Sequence, residues 1–268
     1  MTVKAAEQLW HDSWYRAHPF ASYYPDPADF IEHFRRSHLT PFCDGGWSWW
    51  GDARREMLQM LGEVRGKRIL DYGCGSGNLG IYLALQGAQV SGFDLSPEGI
   101  KIAQRAAGQY RLDAAFETMD AESLSYPDQS FDSVVGFGVL HHVIKYPKAS
   151  SQLVRVMRPG ARALFHETLW DNPLINLARR FTMREQEAGD AHLTAASLRE
   201  FARGFANVKL HPRHLLYMLK RTVKIPPHHI THPLKPRPFW RAVKSADSLL
   251  VAAGLSRYCG EVIVELLR

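Results

Sequence analysis

The chain has 268 residues, 46% of them hydrophobic and 22% charged, with a formal net charge of +6. That is enough apolar material for one large α/β domain or a core domain with an appended piece. No apolar run is long enough to span a membrane and the start, MTVKAAEQLWHDSW, holds no apolar leader segment, so a cytoplasmic protein is expected.

Cys43, Cys74 and Cys259 are odd in number, far apart and without CxxC or His-ligand spacing. They argue against a disulfide framework and a zinc site, so no metal is expected. The positive charge is local: Phe201 to Ala246 holds ten Lys or Arg and no Asp or Glu, which leaves the rest of the chain net negative by four. Such a block suits an anionic substrate, an acidic carrier protein or a membrane surface, or is simply a solvated face.

In chain order, the first fifty residues hold five of the seven Trp, and read as an aromatic-rich cap over residues 1–62. Within it ADFIEHFRR and DARREMLQMLGEV carry apolar residues at helical spacing, joined by the loop CDGGWSWWG. KRILDY is a short strand that runs into the glycine-rich loop YGCGSG and the helix GNLGIYLALQG. AQVSGFD is a second strand, and Ser96 caps the helix PEGIKIAQRAAG with Pro97 at its first position. AAFETMD, closed by Asp120, makes a third strand and FDSVVGFG a fourth. The helix SSQLVRVM ends at the turn RPGA before a fifth strand, RALFHETL.

Helices follow at NPLINLARRFTM and at TAASLREFARG, the latter capped by Thr194; ANVKLHPRHLL is a sixth strand and CGEVIVELL a seventh. Alternating strands and helices of this length predict an α/β fold built on a doubly wound, mostly parallel sheet of seven strands. The core then covers residues 63–215 and 259–268, and 216–258 is a basic Pro/His-rich insertion lying over the site as a lid.

The glycine loop fits two patterns. Gly75, Gly77 and Gly80 spell the dinucleotide fingerprint GxGxxG, while Gly73, Gly75 and Gly77 behind Asp71 spell DxGxGxG. Both exploit a tight strand-to-helix turn whose backbone closely approaches a ligand. Asp94, at the end of the second strand, satisfies either. Asp71, placed before the glycines, is positioned for an ammonium group. Asp120 suits the amino group of an adenine, and the backbone N–H of Ala121 a ring nitrogen.

In order, LDYGCGSG, FDLSP, DAESLSYPDQSFD, VLHHV and RVMRPGA resemble the motif series of class I S-adenosylmethionine-dependent methyltransferases, in their UbiE-like small-molecule branch. The likeness covers residues 67–169, and departs from the pattern at Ala161. It implies a Rossmann-like methyltransferase fold and S-adenosylmethionine as cofactor. By the same resemblance Asp71, Gly73, Cys74, Gly75 and Gly77 line the methionine moiety and Asp94 holds the ribose hydroxyls. Leu95 flanks the adenine, Asp120 and Ala121 read its edge, and Phe137 and Gly138 lie beside the sulfonium.

The implied activity is transfer of the methyl group to a small-molecule acceptor, first of all to oxygen. Nitrogen or carbon acceptors, or a rearrangement that uses the sulfonium without transfer, are the alternatives. A base is needed only if the acceptor starts protonated, and His141, His142, His166 and Glu167 stand at the carboxyl edge for that role. Two adjacent histidines cannot both face one ligand. The segment GFGVLHH lacks the Pro-Pro-aromatic motif of base- and glutamine-methylating enzymes, the nucleophilic Cys of cytosine enzymes and the acidic metal ligands of the catechol type. Aromatic and basic residues are not interleaved as a stacking platform requires, so nucleic acid is not the expected partner.

Overall fold

The computed structural model describes residues 2–17, 24–40, 50–169, 193–216 and 237–268. The helix expected at NPLINLARRFTM, the loop CDGGWSWWG and the histidines of the basic insertion lie outside the described residues or largely so.

The sheet has the order β3-β2-β1-β4-β5-β7-β6 among the described residues. Its strands are β1 Arg68–Tyr72, β2 Gln89–Asp94, β3 Ala114–Thr118, β4 Phe131–Phe137, β5 Met157–Thr168, β6 Asn207–Arg213 and β7 Glu261–Leu267. β7 runs antiparallel to both β5 and β6, and the other pairings are parallel. The chain winds outward in opposite directions from β1 and β4, which are neighbours, so their carboxyl ends form the crevice where ligands bind in such sheets.

Alternation along the strands divides the core. Ile69, Val135, Leu164 and Ile263 face the helices α2 (Pro27–Phe34), α3 (Gly51–Leu61), α4 (Asn78–Ala84) and α5 (Pro97–Tyr110). Leu70, Val134, Ala163 and Val264 face α7 (Ala149–Val156) and α8 (Ala195–Phe201) on the other side. Phe30 and Phe34 of the N-terminal region are core residues, and Phe34 stacks on Tyr82 with ring centres 4.3 Å apart. Each such side chain is worth about 1.5–3 kcal/mol when fully buried, so α2 is part of the fold rather than a loose cover.

Two boundaries differ from the sequence reading. The third strand stops at Thr118, so Asp120 stands two residues beyond it, in the turn; Met119 N–H still bonds the Asp94 carbonyl. The turn RPGA is a bulge inside β5: Phe131 pairs with Met157 and Ser133 with Arg162, leaving Arg158 to Ala161 looped out around Gly160 at φ +78°. The expected caps are present, with Ser96 accepting from Gly99 N–H and Thr194 forming a reciprocal capping box with Ser197.

An element the sequence reading missed is α1, Val3–Ala17. Its buried positions are the charged Glu7 and Asp12, so the face it turns inward does not read as an apolar stripe. Asp12 accepts a hydrogen bond from the Ser96 hydroxyl and Lys4 contacts Asp120 and Glu122, which lays α1 across the carboxyl edge of the sheet.

Several cations of the basic block are paired. Arg203 meets Glu200, Arg213 meets Glu56 and Lys244 meets Asp52. Among the described residues no helix is long and apolar enough to cross a membrane.

Candidate functional site

The loop after β1 is built on glycine. Gly73, Gly75 and Gly77 all have φ between +55° and +77°, a region that other residues enter at a cost. A Cβ on Gly73 would lie 2.2 Å from a Val139 methyl, one on Gly75 2.2 Å from the Tyr15 hydroxyl, and one on Gly77 2.6 Å from Ala103. Gly80 belongs to α4 instead, where a Cβ would stand 3.0 Å from Asp71 and 3.1 Å from Phe116. Gly80 thus serves helix packing, and the three glycines behind Asp71 form the turn.

Asp94 holds this loop in place. Its Oδ2 accepts from Gly75 N–H at 2.8 Å and its Oδ1 from Ser96 N–H at 2.9 Å, so one carboxylate joins the loops after β1 and β2. Asp71 is buried and accepts from Gly80 N–H at 2.8 Å. Burial, with Asp94 nearby, pushes its carboxyl up to about 7 despite that hydrogen bond. Burial likewise raises the Cys74 thiol, next to Asp71 and Asp94, which makes it no nucleophile.

A cavity of about 130 Å³ opens at this edge. Gly73, Asp94, Leu95, Asp120, Ala121, Phe137 and Gly138 line it from the sheet side, with Lys4, Glu7, His11 and Tyr15 of α1 opposite. The spacing of those four residues puts them on one face of the helix. Lys4 Nζ lies 2.6 Å from both Asp120 and Glu122, on the carboxylate expected to meet the adenine.

His141 and His142 sit on α6 (Leu140–Val143), one turn beyond β4, and face different partners. His141 Nδ1 is 2.8 Å from Glu167 Oε2. The other Glu167 oxygen accepts from Val139 N–H at 2.7 Å and Leu140 N–H at 2.6 Å, closing the start of α6. Burial pushes the Glu167 carboxyl up, but His141 and those two amides outweigh it and hold it below the ordinary carboxylate range. The Cε1 edge of His141 faces Gly138, 3.7 Å from where a Cβ there would stand. His142 turns to α1, with Nδ1 2.9 Å from Glu7 Oε1, and lines the cavity.

His166, next to Glu167 on β5, does not line the cavity. It is buried with Nε2 3.6 Å from Glu261, and desolvation holds it below the usual imidazole value. Glu261 continues to His214 and Asp52 at 2.7 and 2.9 Å, a chain of buried charges between β7, β6 and α3.

Sequence reasoning also missed Arg54 on α3. Its guanidinium lies 4.5 Å over the Phe137 ring, and its buried Nε has no hydrogen-bond partner among the described residues. Burial pulls it down to about 10 even with Glu261 and Glu167 nearby. An Arg on a first helical turn carries no pattern of its own, so nothing in the sequence singled it out.

The cradle fits the cofactor that the motifs imply. Residues 69–160 match the family described as a methyltransferase domain. Over 118 residues the chain is 35% identical to a ubiquinone biosynthesis O-methyltransferase of Alkalilimnicola ehrlichii, covering 44% of this chain and 47% of that protein. Over 117 residues it is 38% identical to a demethylmenaquinone methyltransferase of Thermus thermophilus, covering 42% and 53%. The aligned region thus spans about half the length of these curated relatives. The fold is similar to that of a phosphoethanolamine N-methyltransferase of Haemonchus contortus solved with S-adenosylmethionine, at a TM-score of 0.58 and 17% identity, over 89% of this chain and 56% of that one. Residues 69–160 thus match a methyltransferase domain, and with the seven-stranded sheet and the DxGxGxG cradle they resemble the class I S-adenosylmethionine-dependent methyltransferases of the UbiE-like branch.

Proposed function

We propose that this chain binds S-adenosylmethionine across the carboxyl ends of β1, β2 and β4 and methylates an oxygen of a small-molecule acceptor, with His141 as general base. The observation that carries the reading is the His141–Glu167 pair, whose imidazole edge stands beside Gly138 of the cavity lining although neither side chain itself lines the cavity.

When bound, S-adenosylmethionine supplies a methyl carbon activated by its sulfonium and leaves as S-adenosylhomocysteine. Asp94, whose oxygens each retain a lone pair beyond their amide contacts, accepts from the ribose hydroxyls. Asp71 receives the ammonium group, and the glycine turn lets the backbone come close to the methionine. Leu95 and Ala121 enclose the adenine, whose amino group competes with Lys4 for Asp120. Arg54, whose buried Nε has no hydrogen-bond partner among the described residues, takes the methionine carboxylate.

Glu167 fixes Nδ1 of His141 as the protonated nitrogen and leaves Nε2 to accept the acceptor's hydroxyl proton. The negative carboxylate then stabilises the imidazolium that results. Phe137 and the turn at Gly138 hold the acceptor oxygen in line, and alignment supplies much of the acceleration in such a displacement.

The test is to incubate the protein with methyl-labelled S-adenosylmethionine and a panel of phenols, sugar hydroxyls, amines and activated carbon acids. Label on a hydroxyl acceptor together with stoichiometric S-adenosylhomocysteine supports the reading. Label only on amines or carbon overturns the oxygen assignment, and turnover unchanged in His141→Ala overturns the base.

A further inference from the structure

One cluster in the molecule is left unused by methyl transfer. Glu7 and His11 stand four residues apart on one face of α1, and His142 approaches them from α6. One oxygen or nitrogen from each lies within 4.8 Å of the other two, and Glu7 and His142 are buried. The rings of His11 and His142 are 5.2 Å apart, edge to face.

We propose that Glu7, His11 and His142 form a binding site for a divalent transition metal of the zinc type, which ties α1 to α6 across the mouth of the cofactor cavity. Two imidazoles and a carboxylate are a donor set that zinc accepts, and one donor atom from each of the three residues lies within 4.8 Å of the other two. All three residues also line the cavity. Glu7 is steadied from behind by the Tyr146 hydroxyl at 3.0 Å, the kind of outer contact that orients a ligand carboxylate. Lys145, 3.4 Å from the same carboxylate and half-buried, is the competing cation that occupies this charge when no metal is bound.

The site's value to the protein would be mechanical. Lys4 and Glu7 are the α1 charges that meet the loops after β3 and β4, and ion pairs of this kind are individually weak. A metal joining two α1 ligands to one on α6 would hold the helix far more firmly over a bound nucleoside. The inference stands apart from methyl transfer, because metal can be titrated without any acceptor.

The experiment is a Co(II) titration of the full-length chain carrying His228→Ala, His229→Ala and His232→Ala, so that the histidines of the basic insertion cannot contribute. Visible absorption follows binding, and Zn(II) is added in competition. The expected result is one ion per chain, displaced by zinc and weakened by at least about tenfold in Glu7→Gln and in His11→Ala. His11 is only half-buried, so its variant keeps the measurement valid if His142→Ala fails to fold. Lys145→Ala should tighten binding, which a purely structural hydrogen-bond cluster does not predict. Zinc should also slow dissociation of S-adenosylhomocysteine several-fold in the parent and not in His11→Ala. Absence of binding, or binding equal in parent and variants, overturns the proposal. Loss of turnover with metal binding intact would instead count against the methyl-transfer reading alone.

Discussion

Replacing Glu167 separates its structural from its chemical role. In Glu167→Ala the amides of Val139 and Leu140, both in a buried setting, lose their acceptor and His141 loses its partner. Each buried amide left unsatisfied costs about 1–3 kcal/mol, and removing one member of a buried charged pair about 3–5 kcal/mol. These overlap, so about 3–4 kcal/mol is expected in total. For a chain of this size that lowers Tm by about 6–12 °C, read by calorimetry. Glu167→Gln behaves differently. Its carbonyl oxygen can still accept from both amides, so Tm should fall by only a few degrees. Its amide nitrogen, however, faces His141 Nδ1 and forces the proton to Nε2, the wrong tautomer for a base. Turnover should fall by about 10²-fold or more, the scale of general-base catalysis, with S-adenosylhomocysteine affinity unchanged. Full turnover in Glu167→Gln would refute the base assignment, and an unchanged Tm in Glu167→Ala would refute the capping role.

Four further outcomes follow from the site's residues. Asp71 carries a carboxyl raised to about 7, so the folded state binds its proton more tightly than the unfolded chain and its contribution to stability is lost as pH rises through 7. Asp71→Asn should therefore raise Tm at pH 8 and leave it nearly unchanged at pH 4; a lower Tm at pH 8 contradicts the assignment. In the parent, affinity for S-adenosylhomocysteine should climb between pH 5 and about 8 as the ammonium group draws off that proton, and calorimetry on the Asn variant should show a flat profile. Gly77→Ala puts a Cβ 2.6 Å from Ala103 at φ +77°, and should destabilise by about 1–3 kcal/mol in a denaturant titration. Arg54→Met should weaken S-adenosylhomocysteine by about tenfold or more and leave 5′-methylthioadenosine, which lacks the carboxylate, unaffected; equal losses for both ligands would place the methionine end elsewhere.

The parts of the site legible in the sequence are those whose chemistry is local. Three glycines at alternate positions behind a strand-ending Asp dictate a backbone turn, and Gly73, Gly75 and Gly77 adopt it. Asp94 and Ser96 were recognisable because a strand end and a helix cap carry their own residue preferences. What was hidden depends on distant partners. Glu167 caps α6 from a strand 26 positions on, measured from His141, and no periodicity links the two. The split of the two histidines between Glu167 and Glu7 needed α1, whose polar inward face hid it as a helix. His166 looked equivalent to Glu167 at the strand end, yet successive residues of a strand point to opposite faces, and His166 turns toward Glu261.

The glycine turn and Asp94 together form the proposed S-adenosylmethionine site beneath α1. Isothermal titration of S-adenosylhomocysteine against the parent chain and Asp94→Ala tests it most directly, with thermal unfolding confirming that both are folded. The account predicts one site per chain in the parent and a loss of at least about tenfold in the variant, since a charge-assisted contact is worth about 1.5–3 kcal/mol. A parent that does not bind, or a folded variant that binds equally well, would contradict it.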